Sequence, residues 1–202
     1  VHVPLSTVNF KLFDFQLLAY TPFPGFRVEN VRFATGRGIY DTAVLEEIPR
    51  ARRFVWMGTS DLKDLHVAKR GRMVPFLELL SDCAQRGVEL RLIHAKEPGP
   101  AFRRDFDRYP ALIDGMERIL CPRVHFKCVV VDGTFVYLGS ANLTGAGMGA
   151  KSDRRRNFEM GVVSSDAALV RAVMDEFDAV WMGRRCGDCG RKRYCADFGD
   201  IE

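Results

Sequence analysis

No apolar run in these 202 residues approaches the roughly 20 needed to cross a bilayer, because Arg, Asp or Lys interrupts the longest stretches. A membrane-spanning helix is therefore excluded. Residues 1–20 contain Lys11 and Asp14 and lack an apolar core followed by small residues, so no secretory leader is expected and a cytoplasmic, reducing location is. Low-complexity segments and a whole-body repeat are also missing. Strong charge of one sign is absent: 30 Lys and Arg against 26 Asp and Glu leave a net charge of +4, too little to require a nucleic-acid partner. Histidine is scarce as well, with four in the chain.

What is present describes a globular protein. A hydrophobic fraction of 47% is too high for a disordered chain. A chain of this length buries roughly 70% of its unfolded surface, so its core needs no disulfide staple. Residues 1–37 are rich in Phe, Val and Pro and read as a strand-and-turn extension packed on the body. Residues 38–182 alternate between two periodicities. Helical spacing marks Asp41–Ile48, with Asp41 as N-cap, then Met73–Gln85 and Ala167–Trp181. Strands are expected at Arg53–Gly58, Val88–His94, Val124–Val131, Phe135–Leu138 and Asn157–Val163, with Asp132-Gly133 as a hairpin turn. Strand, helix, strand in that order implies a parallel pair. The fold class is α/β, a mixed β-sheet sandwiched by helices. Residues 183–202 form a basic, cysteine-rich tail.

Positive charge is bunched at Arg50, Arg52 and Arg53, at Lys69, Arg70 and Arg72, at Arg154, Arg155 and Arg156, and across Arg184 to Arg193. A single run of this kind is usually a solvated face. Runs beside a site for phosphate would instead hold a substrate backbone.

The stretch with chemistry in it runs from 124 to 159. His125 and Lys127 share a strand face, since alternate side chains do. An ammonium neutralises phosphate charge, and an imidazole attacks phosphorus or moves a proton. After the turn at Asp132, the second strand opens at Gly139-Ser140, where Ser140 and Asn142 can donate to the same oxygens. Asn157 and Glu159 repeat the alternation, and Glu159 is placed to hold the ring N–H of His125. The glycines from 145 to 149 read as a flexible rim loop rather than a nucleotide cradle. The Gly-x-Ser-x-Gly elbow of a serine hydrolase is missing.

His-x-Lys, four residues, Asp, six residues, Gly-Ser-x-Asn, with Asn-x-Glu downstream, resembles the signature of the phospholipase D superfamily over roughly residues 38–182. The resemblance implies a phospholipase D-like fold and two-step phosphodiester chemistry with no catalytic metal. It makes His125 the nucleophile that forms a phosphohistidine, with Lys127, Ser140 and Asn142 as the phosphate cradle. Glu159 would orient His125, Asn157 would support it, and Asp132 would be structural or indirectly orienting. Arg154, Arg155 and Arg156 are candidates for contacts to the substrate backbone. The motif occurs once, so the resemblance further implies a homodimer that pairs two copies of His125 around one phosphate. Nucleic acid, DNA or RNA, is the expected substrate, because basic clusters suit a polyanion. A lipid hydrolase or phosphatidyl transferase is the alternative enzyme, kept open by the apolar stretch 10–20. A nucleic-acid-binding module that grips phosphate without chemistry is the alternative from another class. No stable membrane association is expected.

Three of the six cysteines crowd the tail: Cys186-Gly187-Asp188-Cys189-Gly190, then Cys195. Such spacing suits a metal knuckle, and a tetrahedral site needs a fourth ligand, for which Cys121 is favoured over Asp197 or a residue of a symmetry-related copy. Zinc is the first choice, and an iron–sulfur cluster fits thiolates equally well on the sequence alone.

Overall fold

The computed structural model describes residues 30–63 and 65–195. The expectations for the N-terminal turns, for the apolar stretch 10–20 and for Asp197 lie outside these residues. A seven-stranded mixed sheet organises the rest, in the order β1-β9-β8-β7-β2-β5-β6. Its strands are β1 (Val31–Thr35), β2 (Phe54–Thr59), β5 (Glu89–His94), β6 (Met116–Leu120), β7 (Lys127–Val131), β8 (Phe135–Gly139) and β9 (Met160–Ser164). A small hairpin, β3 (His66–Lys69) with β4 (Arg72–Pro75), stands apart. β2, β5 and β6 run parallel, and the remaining neighbours pair antiparallel.

Two apolar layers cover the sheet, as its burial on both faces requires. On one face lie α1 (Arg37–Ile39), a π-helix (Tyr40–Glu47), α2 (Ile48–Arg50), α3 (Phe76–Gln85), α4 (Pro100–Phe106) and α5 (Ala111–Gly115). They pack over Met57, Leu90, Leu92, Val129 and Tyr137. On the other face α6 (Ala167–Trp181) covers Trp56, Ile93, Val130 and Val136, pressing Val170 and Phe177 into them. Asp166 caps α6, its carboxylate accepting from Leu169 N–H at 2.8 Å.

Several elements differ from the sequence reading. The helical segment over 37–50 starts four residues early, after Gly36 at positive φ (45°), so Asp41 lies inside it and pairs with Arg37 at 2.9 Å instead of capping. Pro75 ends β4, so α3 begins at Phe76 rather than Met73. β1, within the N-terminal extension of residues 1–37, pairs along its length with β9 of the main sheet.

Asp132 explains how the hairpin is locked. It sits at positive φ (54°), and its carboxylate accepts from the backbone N–H groups of Arg52, Arg53 and Phe54 at 2.9, 2.8 and 3.0 Å. The Arg53 guanidinium also binds its carbonyl oxygen. Burial opposes ionisation, but these donors and the Arg53 charge outweigh it, and the carboxyl lies below its usual range. Lys127 is five residues away along β7, about 16 Å at the rise of a strand. Asp132 therefore lies at the end of the sheet opposite the motif histidine. Replacing it with alanine strands three donors and is expected to lower stability by about 2–3 kcal/mol. The pH dependence has a definite sign. A folded pKa below the unfolded one gives stability that is present at neutral pH and fades as pH falls through the folded value. Urea unfolding of Asp132→Asn across acid pH should show a flatter loss than wild type; an unchanged acid limb would contradict this role.

Candidate active site

The candidate site lies where β7 begins and β8 ends. Lys127 opens β7 and is buried at 5% exposure, an unusual place for an ammonium. Burial lowers its pKa below the ordinary lysine value, with the charge of Glu159 pulling the other way. One proton is held by the His125 carbonyl oxygen at 2.7 Å. The rest of the ammonium faces the His125 ring, whose Nδ1 and Nε2 lie 3.1 and 3.2 Å away. His125 itself precedes the regular strand and is exposed. Its ring is thus open to solvent, with a buried cation beside it.

Asn142 is held from one side. Its Oδ1 accepts from Ser60 N–H at 3.1 Å, Ser60 Oγ at 2.8 Å and Asp61 N–H at 3.1 Å, with Thr59 Oγ1, which gives its proton to the Asp61 carbonyl at 2.8 Å, beside it at 3.2 Å. Two of these are backbone N–H groups, which only donate, so the atom facing them is the carbonyl oxygen. That fixes Nδ2 away from the protein, where no described residue accepts from it. An amide so anchored is a preorganised donor for a phosphoryl oxygen.

Ser140 and Glu159 meet each other. The Ser140 hydroxyl donates to Glu159 Oε2, and Ser140 Oγ accepts from Met160 N–H at 3.1 Å. Asn157 Nδ2 donates to Glu159 Oε1 at 3.1 Å. The expected contact between Glu159 and the His125 ring is not made. Ser140 likewise commits its proton to Glu159 rather than holding it free for phosphate. Both residues, with Asn157, stitch the end of β8 to the start of β9 at the rim of the site.

The glycine loop is not a loose rim. Gly145, Gly147 and Gly149 are buried. A Cβ on Gly147 would come within 2.6 Å of the Asn142 carbonyl oxygen, and one on Gly149 within 2.4 Å of that of Gly36. The loop packs beneath the Asn142 turn and supports it. Beyond it, Arg154 and Arg155 are exposed, while Arg156 pairs with Asp153. The other basic runs separate by position. Arg52 and Arg53 lie at the Asp132 end, and Lys69 is held by Glu78 and Asp82 at 2.8 and 2.6 Å.

Residues 59–61 are the part of the site that sequence reading missed. They end β2 as Thr-Ser-Asp, an abrupt polar stop after a buried run. That stop is the one available signal.

The cysteine tail approaches the same edge. Cys121, Cys186 and Cys189 line one cavity with Arg123. Among the described residues no three His, Cys, Asp or Glu side chains are set as a ligand group for a metal ion. The knuckle residues are thus near one another without forming a closed coordination sphere.

With a mixed sheet, helices on both faces and His125, Lys127 and Asn142 at one edge, the class of domain is defined, and comparison agrees with it. The family described as "Cardiolipin synthase, PLD-like domain" matches residues 44–181, and the chain belongs to this branch of the phospholipase D superfamily. No curated protein matches the chain in sequence. Among solved structures it is similar to the phospholipase D family member Nuc from Salmonella typhimurium, at 18% identity and a TM-score of 0.55, covering 75% of this chain and 94% of that one. NucT from Helicobacter pylori is similar at 15% identity and a TM-score of 0.52, covering 73% and 94%. TrmBL2, an archaeal chromatin protein described with a novel mode of DNA binding, matches at 16% identity and a TM-score of 0.52, covering 77% and 54%. At these identities the likeness is one of fold. No helix among the described residues is long and apolar enough to cross a membrane.

Proposed function

We propose that the protein is a phosphodiesterase acting on nucleic acid through a phosphohistidine at His125. The observation carrying this is the exposed imidazole set beside a buried ammonium, with the Asn142 amide anchored from behind. A ring nitrogen of His125 bonds to phosphorus, and the bond from phosphorus to the leaving oxygen breaks. That oxygen takes a proton from a general acid. Water then attacks phosphorus, gives a proton back to the same group and releases His125. Lys127 and Asn142 bind the phosphoryl oxygens, where charge builds in both steps.

The general acid is His125 of a second copy in this reading. No second histidine among the described residues contacts the His125 ring. Exposed apolar side chains also flank the site: Phe158 and Met160 bracket Glu159, and Phe33 lies nearby on β1, all above 60% exposed. Such a patch beside an incomplete site supports an isologous homodimer. Nucleic acid is favoured by the exposed Arg154 and Arg155 and by the basic tail at this edge.

Cleavage of labelled single- and double-stranded DNA and RNA in excess EDTA tests the reading. Activity that survives EDTA and is lost in His125→Ala is the expected result. Restoration by magnesium after EDTA would overturn it. Tight DNA binding with no cleavage by the wild type would favour a binder instead, a role compatible with the shared fold of TrmBL2.

A further inference from the structure

The tail from Met182 to Cys195 contains no buried residue, and only Gly183, Cys186, Cys189 and Cys195 are half-buried. A segment ordered without a core needs another fastening, and metals and disulfides are the usual ones. Hydrophobic burial cannot supply it, since the side chains turned inward are thiols. Electrostatics supply little of it: Arg185 pairs with Glu176 of α6 at 2.6 Å in solvent, while Arg184, Arg191, Lys192 and Arg193 have one acidic residue, Asp188, within the span.

The thiols converge from two distant parts of the chain. Cys186 and Cys189 form a tight turn, with Cys189 N–H donating to the Cys186 carbonyl at 3.2 Å. Their side chains line a cavity of about 180 Å³ with Cys121, Arg123 and Arg185. Cys195 Sγ lies 3.5 Å from the Leu120 carbonyl, one residue before Cys121. Arg191 donates to the Pro122 carbonyl at 3.3 Å. The remaining cysteines, Cys83 and Cys128, are in the core at 0% and 2% exposure. The chain's thiols thus divide into two packed in the core and four gathered at one corner.

We propose that Cys121, Cys186, Cys189 and Cys195 bind one thiophilic divalent cation of the zinc type, which fastens the basic tail to the loop leading into His125. Among the described residues no three of these thiols are set as a ligand group, and Arg123 sits among Cys121, Cys186 and Cys189 and hydrogen-bonds Cys189. On binding, the cation takes that place, the thiols release their protons, and Arg123 moves to the outside of the cluster. Four thiolates and a divalent cation carry a net charge of −2, which Arg123 and Arg191 are positioned to balance, Arg185 being paired with Glu176. The tail's arginines then stand beside the candidate site for a reason that a solvated tail would not supply. This inference does not rest on the catalytic reading, and its test uses no activity assay.

Elemental analysis of the full chain, purified under reducing conditions with zinc and then desalted, should give one zinc per chain. Cys186→Ser/Cys189→Ser should hold at least tenfold less, whereas Cys83→Ala should keep it. Cobalt substituted into the wild type should show the intense thiolate charge-transfer and visible bands of a tetrahedral site, which does not depend on how the variant folds. Tryptic cleavage after Arg184 to Arg193 should accelerate at least tenfold when metal is removed. Zinc retained by the double variant would overturn the proposal. So would a wild type without metal whose four thiols are blocked until reduced, or one that is brown with acid-labile sulfide.

Discussion

Replacing His125 with alanine is expected to lower phosphodiester cleavage by about 10⁴-fold or more, the scale on which loss of a nucleophile acts. The ring is exposed and its hydrogen-bond contacts among the described residues are with Lys127, so its removal costs no core packing. Folding and nucleic-acid binding should therefore survive. That separation is informative, since a residue needed for stability would take binding down with it. Steady-state kcat together with binding to a labelled oligonucleotide measures both sides. A variant retaining a tenth of wild-type kcat would remove His125 from the chemistry.

Lys127→Met is expected to reduce kcat/KM by about 10²–10³-fold, the loss seen when one preorganised charge stabiliser is removed. Methionine keeps the length and apolar stem of a side chain whose surroundings are buried, so stability should change little. The pH profile gives a second handle. The ammonium is charged below its pKa, and burial has lowered that pKa. Activity should therefore fall on the alkaline side at a lower pH than an ordinary lysine would allow. Arginine remains charged throughout this range. Lys127→Arg should lose that alkaline limb even if geometry reduces its maximum rate. An alkaline limb unchanged in Lys127→Arg would assign it to a different group.

The residues of the candidate site were legible to different degrees, and sequence distance explains why. His125, Lys127, Ser140 and Asn142 stand at fixed gaps within one hairpin, where strand alternation and a turn signal place them together. What each touches was harder to read. Asn142 depends on Thr59, Ser60 and Asp61, about eighty residues earlier, which β2 delivers by pairing with β7. Asp132 is anchored on residues 52–54 by the same pairing. No local pattern encodes either contact. Glu159 followed a local rule that failed: alternation was read over Asn157–Val163, but the strand begins at Met160, and the Glu159 carboxylate pairs with Ser140 and Asn157.

The fold shows the same division. The mixed sheet, the parallel β2–β5 pair and α6 follow from hydrophobic period and crossover geometry. The small β3–β4 hairpin has a different origin. Val67 and Val74 fold into the main core, while Arg70 and Gly71 turn at positive φ between the strands. Its second strand overlaps Met73–Pro75, which read in sequence as the start of the helix that follows.

Trapping the covalent intermediate tests the histidine mechanism most directly. The enzyme is mixed with a radiolabelled oligonucleotide, quenched in denaturant within the first turnover, and digested with trypsin. Cleavage after Arg123 and Lys127 yields Val124-His125-Phe126-Lys127, which holds one histidine and no hydroxyl side chain. A phosphohistidine mechanism requires label on that peptide, stable to alkali, lost in acid and absent from His125→Ala. Label on any other peptide, or full turnover with none on the protein, would contradict it.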